Sequence, residues 1–152
     1  MRKPKDRSFD QIVKGLKFNG HETNYCTTAS TCAVSGLSAG KVVALAKRHV
    51  DDFELNKGLD IDRFRSLLES VYGDNFRIEG GEFGETSYAG RQFRTVAKEL
   101  AEKGGRWIIV TMSAKSGHAT AIRDGKIIDW MDETKRNRVG YVIEVPATVV
   151  SQ

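Results

Sequence analysis

The chain has 152 residues, a length that fits one domain able to bury a core. It is 39% hydrophobic and 29% charged, with two prolines and no low-complexity run, which excludes extensive disorder. The net charge of +4 is modest, no stretch reaches membrane-span length, and no aromatic stripe interleaves with the basic residues, so neither a membrane span nor a base-stacking platform is expected.

The chain opens on a basic arm, residues 1–8, that reads as solvated and open to disorder; no apolar signal core follows it, so a cytoplasmic location is expected. Ser8-Phe9-Asp10-Gln11 resembles a capping box and predicts a short helix with Ile12, Val13 and Leu16 on one side. Residues 18–25 are polar and loop-like. From Cys26 to Val34 the residues are small and weakly apolar, as a closely packed central helix ending at Gly36 would require. Ser38 and Asp60 are placed to cap two further helices. Their buried stripes are Val42, Val43, Leu45 and Ala46, then Ile61, Phe64, Leu67, Leu68 and Val71, with Gly73 as the stop. A short strand at 76–78 and a glycine-rich loop through Gly80, Gly81 and Gly84 come next. Phe93, Val96, Ala97 and Leu100 mark another helix, closed by Gly104-Gly105. Strands are predicted at 107–112, 118–123, 126–130 and 139–145, with Asp124-Gly125 as the strongest hairpin signal. Helices first and an antiparallel sheet last predict an α+β fold.

Two cysteines, Cys26 and Cys32, make no disulfide framework and are expected to remain thiols. Helix N-termini favour thiolates, and Cys26 stands where the polar segment meets the central helix. Cys32 lies six residues on, facing another direction, and reads as a small buried hydrophobe. Taken alone, Cys26 fits that description equally well. Of three histidines, His49 closes a basic helix, His21 lies in the polar loop, and His118 opens a strand after a small, flexible approach. With Asp124-Gly125 as a two-residue loop, Arg123 faces Lys126, Thr120 faces Asp129 and His118 faces Met131. His118 and Asp129 then become diagonal neighbours on one face. That arrangement supplies a nucleophile, a base and a carboxylate to orient the base. The Cys26 N–H is the first oxyanion donor, and Asn24 the nearest side-chain amide, with Asn19 and His21 as competitors.

Asn24-Tyr25-Cys26-Thr27-Thr28-Ala29 resembles the Asn-Asp-Cys motif of small phage-encoded proteins assigned to the papain-like cysteine peptidases. Residues 117–130, a Gly-His strand, tight turn and Asp-containing strand, resemble their second signature, and 138–145 their closing strand. The order of elements is also similar to the bacteriocin-processing, double-glycine-cleaving peptidases. Tyr25 stands where the motif has aspartate, and Gly20 where a glutamine is common. The resemblance covers about 24–145. It implies a single papain-like domain whose nucleophile helix, in an N-terminal helical lobe, packs on a C-terminal antiparallel sheet. It also implies a thiol-dependent hydrolase with Cys26, His118, Asp129 and Asn24 at its site, a protein or peptide substrate, a host protein as a further target, and the host cytoplasm as its compartment. No cofactor and no metal are called for.

A zinc site from His21, Cys26 and Cys32 lacks standard spacing. Gly36-Leu37-Ser38-Ala39-Gly40-Lys41 is one residue short of a phosphate loop and follows a helix rather than a strand. The rival from another class is a non-catalytic phage protein that binds and inhibits a host factor on the same scaffold. Nucleic-acid binding through the basic ends, residues 1–7 and 135–138, is the weaker rival.

Overall fold

The computed structural model describes residues 2–16, 25–55, 57–112, 117–128 and 137–150. Three of its helices begin where side chains serve unpaired N–H groups. Ser8 N–H donates to Gln11 Oε1 (2.9 Å) and Gln11 N–H to Ser8 Oγ (3.2 Å), a reciprocal capping box that opens α1 (Phe9–Leu16). Ser38 Oγ accepts from Lys41 N–H at the start of α3 (Ala39–His49), and Asp60 Oδ1 from Arg63 N–H at the start of α4 (Ile61–Tyr72). Helix α5 (Phe93–Lys103) ends at Gly104. Helix α2 (Cys26–Ser35) differs: all ten residues are buried, so it shows no amphipathic stripe. It stops at Gly36, whose φ of +77° is left-handed. A Cβ there would also stand 2.9 Å from the Lys5 carbonyl oxygen, so glycine is needed twice over.

Among the described residues five strands form one antiparallel sheet: β1 (Arg77–Glu79), β2 (Arg106–Met112), β3 (Gly117–Arg123), β4 (Lys126–Ile128) and β5 (Arg138–Val145), in the order β1-β5-β2-β3-β4. The hairpin has the expected register, with Arg123 opposite Lys126. Asp124 and Gly125 both take positive φ, 52° and 84°, as a type I′ turn demands. Residue alternation divides the core. Ile108, Ala119, Ala121, Ile143 and Val145 face the cluster that contains α1–α4, whereas Trp107, Ile109, Ile122 and Val142 pack with α5. The α+β class stands as read. The layering is richer than a helical lobe laid on a sheet, because α5 covers the far face. Among the described residues no single helix is long and apolar enough to cross a membrane.

The N-terminal arm carries structural contacts that its charge did not reveal. Arg2 and Val149 exchange two backbone hydrogen bonds. Asp6 takes a two-pronged ion pair from the buried Arg106 (2.8 and 3.0 Å), with Arg123 Nε 3.7 Å from the same carboxylate. The guanidiniums continue inward. Arg106 donates to Val34 O (2.8 Å), Arg123 to Ala33 O (2.9 Å) and Arg7 to Gly36 O (3.0 Å). Three arginines thus serve the carbonyls that α2 leaves unpaired at its C-terminus. Arg106→Ala strands the Val34 carbonyl and half of the Asp6 charge. Asp6 is one-third exposed, so water recovers part of the loss. Chemical denaturation should show a fall of about 3 kcal/mol.

Candidate active site

The fully buried α2 has to lie in the middle of the molecule, and it packs along β3. Two residues one helical turn apart make the junction. Ala119 N–H donates to Cys26 Sγ (3.4 Å), and Ser30 Oγ donates to Ala119 O (3.0 Å). Strand N–H and C=O groups point within the plane of their sheet. The Cys26 sulfur therefore lies beside the β3 backbone, and α2 supplies a partner to both backbone polar groups of Ala119. Ser30 registers the helix against the strand and so places the thiol. Ser30 stands four residues after Cys26 among threonines and an alanine, so its spacing from Cys26, one helical turn, was the available signal.

Cys26 is the first residue of α2, preceded by Tyr25, which makes no side-chain cap. It lines a cavity of about 470 Å³ together with Thr27. Residues 58–64, the approach to α4 and its first turn, form one wall. Val110 and Met112 of β2, Gly117 to Ala119 of β3, and Tyr141 of β5 form the floor. His118 lines this same cavity and is 5% exposed, as is Cys26. Its carbonyl accepts from the buried Thr111 Oγ1 (3.3 Å), across the β2–β3 ladder. His118 shares the strand parity of Ile122, opposite to Ala119. It stands second in the strand, at the end that borders the cavity.

A β-bulge completes the floor. The β2–β5 register shifts so that Val110 faces Tyr141 while Thr111 faces Val139. In a regular strand Val139 and Tyr141 would share a face. Here Val139 packs with α5 and Tyr141 with the opposite cluster, beside the cavity. The bulge was not legible in the alternation of 139–145. The glycine-rich loop touches a lining residue: Tyr141 Oη donates to Glu82 Oε2 (3.1 Å), and Phe83 packs edge-on to the Tyr141 ring.

Of the four residues read as the site, Cys26 and His118 both line the cavity, and Asn24 and Asp129 lie outside the described residues. The hairpin pairs that lead toward Asp129 hold as far as Ala121 opposite Ile128. Cys32 is fully buried, and burial, only partly offset by Arg7, pushes its thiol from 9.0 up to about 12, so it packs as a hydrophobe. Among the described residues no three His, Cys, Asp or Glu side chains come together as metal ligands. The chain matches no known family model, no curated protein and no solved structure.

Proposed function

We propose that the protein is a thiol-dependent hydrolase of papain-like build, acting on a peptide, isopeptide or side-chain amide bond. The observation that carries this reading is that a cysteine opening a helix and a histidine near the start of a strand line one cavity, with a backbone N–H directed at the sulfur. In this reaction the Cys26 thiolate attacks the carbonyl carbon. The Cys26 N–H, at the start of α2, steadies the oxyanion. His118 gives its proton to the leaving amine as the C–N bond breaks. Water then attacks the acyl-enzyme, His118 accepts its proton, the carboxylic acid departs and the thiol is restored. Asp129 is the proposed orienter of His118 and Asn24 a second oxyanion donor. The resemblance in motifs supports a phage origin, with a phage or host protein as the proposed substrate and the host cytoplasm as the proposed compartment.

An activated acyl-glycine nitrophenyl ester tests this. The wild type should release a burst of one nitrophenolate per chain and carry the acyl mass on Cys26. Cys26→Ala should show no burst, and His118→Gln should slow acylation by about 100-fold. Absence of a burst, with no acyl group on Cys26, would favour the non-catalytic scaffold that binds a host factor.

A further inference from the structure

The cavity has one acidic end. Asp60 is the one carboxylate among its described lining residues; it is exposed, and Oδ1 takes the Arg63 N–H. Glu82 accepts the hydroxyl of Tyr141, another residue that lines the cavity. Burial first, then Glu82, then the charge of Asp62 push the Tyr141 phenol upward. The neighbouring cations are matched by other carboxylates: Arg65 with Glu69 (3.1 Å), Lys57 with Glu54 (2.8 Å) and Arg63 with Asp52 (3.9 Å). No described cation stands within 4.0 Å of Asp60, Asp62 or Glu82. On a chain of net charge +4, these three form a local excess of negative charge. The walls around the cavity are apolar, formed by Leu59, Ile61, Phe64 and Val110.

An apolar wall ending in carboxylates suits a side chain with a methylene stem and a cationic head. We infer that the cavity receives a lysine or arginine side chain of the substrate, its stem against Leu59, Ile61 and Phe64 and its head at Asp60, so that the adjoining carbonyl is presented to Cys26. The inference rests on Cys26 being the nucleophile. Acidic side chains at that substrate position would be rejected by the same charges.

Two thiol reagents of equal length, pentyl and 5-aminopentyl methanethiosulfonate, test it on the intact protein. Rates at Cys26 are followed by peptide mass mapping and normalised to the same pair acting on glutathione. The aminopentyl reagent should be favoured about 5-fold at low salt, and Asp60→Asn should lower that preference about 3-fold. Asparagine caps helices as well as aspartate does, so α4 is retained. The preference should shrink in 0.5 M salt. A preference unchanged by Asp60→Asn, or a Cys26 that reacts with neither reagent, overturns the inference. The nucleophile reading is scored separately, by the effect of His118→Gln on the pentyl rate. Loss of that effect with the charge preference intact would sink the catalytic reading alone.

Discussion

Iodoacetamide should modify Cys26 at least about 100-fold faster than Cys32 at pH 7. Both residues sit on α2 and both are buried by area, but their surroundings differ in kind. Cys26 borders an open cavity and receives an N–H on its sulfur, whereas Cys32 is sealed in the core. A thiol pushed to about 12 is ionised in only about one molecule in 10⁵ at pH 7, against a few per cent for an ordinary cysteine. Ionisation alone therefore handicaps Cys32 by about 10³, before access is considered. Replacing His118 with glutamine should slow Cys26 by about 10-fold or more and leave Cys32 where it was. Peptide mapping of a labelling time course reads both sites at once. Equal, slow labelling of the two cysteines would contradict the assignment of Cys26 as nucleophile.

Alkaline pH should destabilise the fold through Cys32. The unfolded thiol ionises above about pH 9, while the native one holds its proton until about 12. The unfolded state therefore loses protons that the native state keeps, and stability falls as pH rises from 9 toward 12. Below pH 9 this contribution is fully present. The span of three pH units corresponds to about 4 kcal/mol. Tyr72, also fully buried and pushed upward chiefly by burial, acts in the same direction, so Tyr72→Phe is the right background. In that background, denaturant titrations should find the Cys32 form more stable than Cys32→Ala at pH 8, because the alanine leaves a small void. The order should invert near pH 11. A difference that stays constant across this range would show that Cys32 does not resist ionisation in the native state.

Much of this architecture is written locally in the chain. The capping box at Ser8, the caps at Ser38 and Asp60, the stops at Gly36 and Gly73 and the Asp124-Gly125 turn each act over a few residues, so they can be read in order. The hairpin register follows from the turn, which is why the pairing of Arg123 with Lys126 was foreseeable. The features that lock α2 in place and shape the cavity are of another kind. Asp6 and Arg106 are 100 residues apart, and nothing local links an N-terminal acid to a strand arginine. The Val110–Thr111 shift depends on how β5 lies against β2, and it decides that Tyr141 rather than Val139 borders the cavity. The wall from residues 58–64 depends on where α4 docks. Cys26 and His118 were legible as chemistry, while the shape and charge of the space between them arise from tertiary packing.

The proposed chemistry requires the thiol and the imidazole to act on each other. The most direct measurement is a crystal structure of the protein with Cys26 as the free thiol. A ring nitrogen of His118 should lie within about 4 Å of the Cys26 sulfur, close enough to exchange a proton. An imidazole turned to the Ile122 side of β3, more than about 6 Å from the sulfur with no room to swing back, would contradict it.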